Sequence, residues 1–99
     1  MIEQRRVLRT ELPGPASQAL AARRRAAVSS AVSVGNELYI DRGEGAILVD
    51  VDGNQLLDFG SGIAVASVGH ASAPVVAAVA EQAARFAHTC FMVTPYPGY

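Results

Sequence analysis

Residues 46–59 constrain the fold more than any other part of the chain, because they have the form of two short strands joined by a tight turn. Residues 46–51 are dense in side chains that favour β-strands. Asp52 and Gly53 follow, and glycine accepts the positive φ of a hairpin turn without a steric penalty. Residues 55–59 then return as the partner strand. The sequence therefore predicts a β-hairpin here.

A further strand is expected just before the hairpin. Residues 38–40 form a short apolar run, and Gly43 and Gly45 are expected to break it. Three successive strands favour an antiparallel meander, whose apolar residues need a covering layer. The predicted fold class is α/β, with α+β organisation in this segment: a three-stranded antiparallel meander followed by a helix.

The first 36 residues are expected to lie apart from this sheet. Two prolines and a glycine at positions 13–15 do not permit a helix, so residues 1–16 are predicted to form an extended arm. Ser17 is a favoured N-cap, and good helix formers follow it to about Val28. The apolar stripe of this helix is thin, which predicts a peripheral helix. A Ser-rich linker completes residues 1–36.

A small-residue loop and a second helix follow the predicted sheet. The glycines and serine of residues 60–62 are expected to end the sheet. Pro74 fits the first turn of a helix, because its missing N–H would be unpaired there. That helix is predicted over residues 74–87, with an apolar face formed by Val75, Val76, Val79, Ala83 and Phe86. Prolines 95 and 97 then exclude a continuing helix or a central strand.

Length and composition exclude several classes of protein. The 99 residues allow one domain at most, and the end on Tyr99 without a closing element suggests a fragment. A net charge of −1 offers no global attraction to nucleic acid, and the arginine clusters are interpreted as solvated surface. No apolar run approaches the ~20 residues that span a bilayer, and no secretory signal is visible. A single cysteine, Cys90, fits a reducing compartment, so a cytoplasmic location is expected.

Two motifs resemble ligand-binding loops but fit them poorly. The dinucleotide fingerprint requires Gly or Ala three residues after its second glycine, where this chain has Val65. The acidic run from Asp50 to Asn54 has its glycine at the fourth position, whereas a calcium-binding EF-hand loop has it at the sixth. We interpret the glycines as close backbone packing and the acidic run as a hairpin turn.

Two histidines and the cysteine are the residues most capable of metal binding or nucleophilic chemistry. His70, His88 and Cys90 lack a fourth ligand and a recognisable pair spacing, so a histidine bonded to loop backbone is the favoured interpretation. Cys90 beside His88 could act as a nucleophile only with an orienting third group and an oxyanion site. Nothing in the sequence supplies either.

Several short motifs form a recognisable set when they are taken together. They are Leu48-Val49-Asp50-Val51-Asp52-Gly53-Asn54, Leu57-Asp58-Phe59, Ser61-Gly62-Ile63-Ala64-Val65, Gly69-His70, Pro74-Val75-Val76 and Ala78-Val79 with Gln82. This set resembles the N-terminal part of class III aminotransferases. The sequence His88-Thr89-Cys90-Phe91 narrows the likeness to 4-aminobutyrate aminotransferases. The resemblance covers residues 34–99.

The resemblance implies a fold type I enzyme that depends on pyridoxal 5'-phosphate and works as a homodimer. Residues 37–99 would be part of its small domain. Such an enzyme would transfer an amino group from an ω-amino acid, typically 4-aminobutyrate, to 2-oxoglutarate, with no nucleic acid or membrane partner. The family needs a lysine to hold its cofactor, but all eight basic residues here are arginines. We therefore expect this segment alone to be inactive, without catalytic, cofactor-binding or metal-binding residues of its own.

Two loops carry the site residues that the resemblance implies. Ile63 matches a position that lines the substrate pocket, as an apolar wall beside the methylene chain of the substrate, with Ser61 and Gly62 in the same active-site loop. Cys90 belongs to a second loop near the active site, where Phe91 and Met92 would contribute to the substrate pocket.

Three interpretations of function remain open from the sequence. The first is the N-terminal segment of a 4-aminobutyrate aminotransferase. A close rival is another ω-amino acid or ornithine-type aminotransferase, because the discriminating residues would lie mostly downstream. The third is a non-enzymatic module that packs on a partner chain through its exposed apolar surfaces.

Overall fold

The computed structural model describes residues 1–98 and contains three helices and three strands. Tyr99 lies outside the described residues. The expectation of a fragment rested on this residue, and the predicted domain ends with it. The elements in chain order are α1 (Pro15–Ala27), β1 (Ile40–Glu44), β2 (Ile47–Asp50), β3 (Gln55–Leu57), α2 (Ser61–Ala64) and α3 (Ala73–Arg85).

The strands form the predicted antiparallel meander, in the order β1-β2-β3. Leu48 pairs with Leu56 of β3, and Gly43 of β1 pairs with Leu48 on the other side. The hairpin turn is also confirmed, because Gly53 adopts a φ of 82° and its N–H donates to the Asp50 carbonyl at 3.0 Å. The predicted fold class is therefore correct.

The position of β1 differs from the prediction. The strand begins at Ile40 instead of Leu38, and it continues through Gly43, which was expected to break it. Gly43 remains in the strand because it pairs across the sheet, whereas Gly45, with a φ of 59°, forms the turn into β2. Propensity alone could not distinguish these two glycines, since the pairing depends on the partner strand.

Helix α1 also begins earlier than predicted. Its N-cap is Gly14 and Pro15 occupies the first turn, so Ser17 is a buried residue inside the helix instead of its cap. The prolines stop the helix from extending backwards but are compatible with its start. Helix α3 ends two residues before the predicted Ala87, because Phe86 is extended with a φ of −170°.

The hydrophobic core is small and lies at the centre of the sheet. Its buried apolar residues are Ile47 and Val49 of β2 and Ala21 of α1. Helix α3 buries no residue, and the radius of gyration is 17.6 Å, against about 13 Å for a compact domain of this size. The covering layer that the meander needs is therefore incomplete in this chain, and α3 projects away from the core with its apolar face exposed.

Candidate functional site

The acidic run from Asp50 to Asn54 binds the N-terminal arm of its own chain. The Asn54 side chain is fully buried, and its Oδ1 accepts the backbone N–H groups of Arg9 at 2.7 Å and Thr10 at 3.0 Å. Its Nδ2 donates to Asp50 Oδ2 at 2.7 Å and to Thr10 Oγ1 at 2.9 Å. Every polar group of this amide is used within the protein, which supports the interpretation as a structural turn.

Asp52 holds the beginning of helix α1 from a distant part of the chain. Its two carboxylate oxygens accept the backbone N–H groups of Ala16 at 2.7 Å and Ser17 at 2.9 Å. Burial raises the pKa of Asp52, but hydrogen bonds from Ser17 and Ala16 outweigh that effect and lower the pKa below its ordinary value. A carboxylate at a helix N-terminus also interacts favourably with the helix dipole. The hairpin turn thus caps α1, which explains why the helix starts before Ser17.

Asp58 and His70 form the polar centre of the predicted active-site loop. Asp58 Oδ1 accepts the N–H groups of Gly60 at 3.0 Å and Ser61 at 2.8 Å, and Asp58 Oδ2 lies 2.6 Å from His70 Nε2. The hydrogen bond with His70 is the main cause that lowers the pKa of Asp58, and the Ser61 and Gly60 amides act in the same direction. The sequence predicted a histidine bonded to loop backbone. The His70 backbone does pair with Gly45, but its side chain binds a carboxylate.

The Ser61–Ala64 segment is a left-handed turn, which is an uncommon conformation for residues with a side chain. The φ angles of Ser61, Gly62, Ile63 and Ala64 are 47°, 61°, 61° and 63°. Only glycine adopts this region freely, and each of the other residues costs about 1–2 kcal/mol. The turn directs Ile63 outward, where its side chain is 96% exposed. Strain of this kind is often found at functional sites, so this loop is the strongest candidate site in the chain.

The Cys90 loop is a second tight turn. Cys90 has a φ of 54°, and its carbonyl accepts the N–H groups of Val93 at 2.7 Å and Thr94 at 3.1 Å. Phe91 packs edge-to-face against Tyr96 with ring centroids 5.3 Å apart. The Met92 side chain, in contrast, is 92% exposed. The turn therefore holds Phe91 within the loop and presents Met92 on the surface.

The six predicted site residues of the two loops do not form one enclosed pocket in the described residues. Ile63 and Met92 both point away from the core as exposed side chains, on loops at opposite ends of α3 in the chain. An apolar groove of about 460 Å³ runs along α3 and is lined by Val75, Val79, Gln82, Ala83 and Phe86. The sequence predicted this face of α3 as apolar, but none of the six site residues lines the groove.

Metal binding finds no support in the part of the chain that the structure describes. No group of three or more His, Cys, Asp or Glu side chains in residues 1–98 is arranged to hold an ion. His70 is engaged with Asp58, and Cys90 is half-buried in its turn. Within the same residues, no helix is both long and apolar enough to cross a membrane.

Most of the chain matches a known enzyme family. The family model of class-III aminotransferases matches residues 29–98, and the chain belongs to that family. It is 59% identical over 98 residues to the 4-aminobutyrate aminotransferase of Mycobacterium tuberculosis (strain ATCC 25618 / H37Rv). The match covers 99% of this chain and 22% of the relative.

Other relatives are named for other amino donors. The 5-aminovalerate aminotransferase DavT of Pseudomonas putida is 41% identical, over 84% of this chain and 20% of its own length. A structure of the ornithine aminotransferase from Toxoplasma gondii, with partial occupancy of PLP at its active site, is 32% identical with a TM-score of 0.66. It covers 74% of this chain and 17% of that protein. The chain thus spans about a fifth of the length of these relatives.

The residues of this chain do not by themselves fit pyridoxal phosphate. That cofactor needs a lysine amine, and the chain contains no lysine. The strained turn and the Cys90 turn offer no cationic group to hold a phosphate: their residues are Ser61, Gly62, Ile63, Cys90, Phe91 and Met92.

Proposed function

We propose that this chain is the N-terminal segment of an enzyme that transfers an amino group from 4-aminobutyrate, or a similar ω-amino acid, to 2-oxoglutarate. With 4-aminobutyrate as the donor, the products are succinate semialdehyde and glutamate. The observation that carries the proposal is the 59% identity to a 4-aminobutyrate aminotransferase across 99% of the chain. The relatives named 5-aminovalerate aminotransferase are less similar, at 40–41% identity.

In this proposal the segment supplies part of the substrate pocket and leaves the reaction chemistry to residues beyond it. Ile63 forms an apolar wall beside the methylene chain of the substrate, supported by its strained and outward-pointing position. Phe91 and Met92 contribute a second wall, with Cys90 as the turn that holds them. Pyridoxal phosphate supplies the electron sink, and the lysine that binds it lies outside this segment. The complete enzyme is a cytoplasmic homodimer.

The test begins with the coding DNA beyond the codon for Tyr99. If the reading frame continues to a lysine-bearing cofactor site, the complete protein should convert 4-aminobutyrate and 2-oxoglutarate to succinate semialdehyde and glutamate. The 99-residue chain alone should show no turnover, because it has no lysine. The proposal is wrong if the complete protein transaminates no ω-amino acid, or if the chain alone is active.

The exposed apolar face of α3 favours a second candidate function. The exposed fractions of Val75, Val76 and Val79 are 48%, 54% and 62%. A contiguous exposed apolar surface of this kind marks an interaction site. A free-standing module that binds a partner chain through this face would have to fold without the rest of an enzyme. Circular dichroism in a denaturant titration separates the two: a cooperative transition of the isolated chain favours the module, and a molten or aggregating chain favours the segment.

A further inference from the structure

Asp58 and His70 join the two ends of the loop that carries Ile63. They are twelve positions apart in the sequence, yet Asp58 Oδ2 and His70 Nε2 are only 2.6 Å apart. The other carboxylate oxygen of Asp58 accepts the N–H groups of Gly60, which precedes the left-handed turn, and of Ser61, its first residue. One side chain therefore fixes both the direction in which the loop leaves the sheet and the place to which it returns.

Backbone contacts fix the same two positions on the sheet. The Asp58 N–H donates to the Ala46 carbonyl at 2.9 Å, and His70 exchanges two backbone hydrogen bonds of 2.9 Å with Gly45. Gly69 also approaches Gly45 so closely that a Cβ at that position would lie 3.2 Å from the Gly45 backbone. The loop ends thus rest on the turn between β1 and β2, whereas the loop itself extends into solvent.

The strained turn needs such a fixed base. Ser61, Ile63 and Ala64 hold positive φ angles that their side chains disfavour. Ile63 and its exposed neighbours Val65 and Val68 make little contact with the rest of the chain, since their side chains are all largely exposed. Backbone hydrogen bonds inside the turn close it, such as the one from the Val65 N–H to the Ser61 carbonyl at 2.7 Å. The hydrogen bonds at its base fix where the turn lies on the sheet, and Asp58 provides the side-chain part of these.

From this arrangement we infer that Asp58 and His70 are positioning residues that hold Ile63 against the methylene chain of the substrate, and that they thereby set the length of ω-amino acid that the enzyme prefers. The inference rests on the proposed function for its substrate. The part that concerns the loop does not, because the pair would hold the turn whatever the enzyme binds.

The kinetic test uses the complete enzyme and two donors that differ by one methylene, 4-aminobutyrate and 5-aminovalerate. His70→Ala removes the side-chain contact with Asp58. His70→Gln keeps an N–H donor, on its amide group, close to the position that Nε2 occupies. In His70→Ala we expect KM for 4-aminobutyrate to rise about tenfold with kcat changed less than about threefold, the pattern of a lost binding contact. One methylene is worth about 10- to 200-fold in discrimination, so the preference between donors should fall about tenfold. His70→Gln should restore most of the preference for 4-aminobutyrate over 5-aminovalerate.

The second test needs no activity and follows hydrogen exchange in peptides that contain residues 58–65. In Asp58→Ala, exchange of the Gly60 and Ser61 amides should increase more than about tenfold, while the β1–β2 amides keep their protection. Asp41→Ala is the matched control, because Asp41 is an exposed carboxylate outside the loop. If Asp58→Ala does not fold, Asp58→Asn keeps the Oδ1 acceptor of both amides but presents an NH2 group to His70 in place of Oδ2. It therefore weakens the link to His70 alone, and exchange of the loop amides should rise as it does in His70→Ala.

Each outcome decides between the possibilities. A large fall in kcat at unchanged KM in His70→Ala would identify a catalytic histidine and overturn the positioning role. Unchanged loop exchange in both Asp58→Ala and His70→Ala would overturn it as well. An enzyme that transaminates neither donor, but whose loop loses protection in these variants, would contradict the proposed function while leaving the pair as the support of the loop.

Discussion

Replacing Asn54 by alanine should release the N-terminal arm from the hairpin. The Asn54 side chain holds Arg9, Thr10 and Asp50 through four hydrogen bonds of 2.7–3.0 Å. A typical buried hydrogen bond contributes about 0.5–1.5 kcal/mol, and a buried group left without a partner costs about 1–3 kcal/mol. The arm amides can form hydrogen bonds with water when the arm detaches. We therefore expect docking of the N-terminal arm on the hairpin to become less favourable by about 2–4 kcal/mol.

Hydrogen exchange measures this loss at amides that do not contact Asn54 directly. Val7 and Gln55 exchange two backbone hydrogen bonds, of 3.0 and 2.7 Å, that join the arm to the edge of β3. A loss of 2–4 kcal/mol corresponds to about 30- to 900-fold faster exchange at these amides. The β1–β2 amides should keep their protection, because their pairing does not involve the arm.

Asn36→Ala is the matched control for this substitution. Asn36 is exposed and accepts one hydrogen bond, from the Leu38 N–H at 3.0 Å, so its loss should change exchange at Val7 and Gln55 less than about threefold. The reasoning is refuted if Asn54→Ala leaves the exchange of both amides within that range in a folded protein. It is also refuted if arm and sheet lose protection equally, since Asn54 would then support the whole fold.

Three further outcomes follow from the same structure. The pKa of Asp52 is lowered in the folded chain, so its carboxylate stabilises the start of α1 fully above its ordinary pKa of about 4. This contribution is lost as the pH falls through the lowered pKa. Protection of the Ala16 and Ser17 amides from hydrogen exchange should decrease over that pH range, and should decrease less in Asp52→Asn. In the complete protein, Gly53→Ala should lower the free energy of unfolding by about 1 kcal/mol or more, measured by urea titration, because φ is 82°. Gly35→Ala, where a Cβ meets nothing within 4 Å, should not. Ile47→Ala should cost about 2–5 kcal/mol in the same titration, because Ile47 is fully buried, and a cost below about 0.5 kcal/mol would show that this core contributes little to stability.

The hairpin and the second helix could be predicted because their signals are local. Asp52 and Gly53 define a turn whatever surrounds them, and the apolar period of residues 74–87 specifies a helix with one apolar face. The family also followed from short motifs, which the match of the class-III aminotransferase model to residues 29–98 confirms. The site residues Ile63, Phe91 and Met92 remain proposals, because the described residues do not bring them together in one pocket.

The tertiary structure decided the features that depend on distant partners. Helix α1 starts at Pro15 because Asp52, far away in the sequence, accepts its first N–H groups. The Asp58–His70 pair and the left-handed turn at Ile63 were not predicted, since neither a contact twelve positions apart nor a positive φ at isoleucine has a sequence signal. Local propensity acts over a few residues, whereas these arrangements depend on the sheet that brings Asp58 and His70 to the same turn.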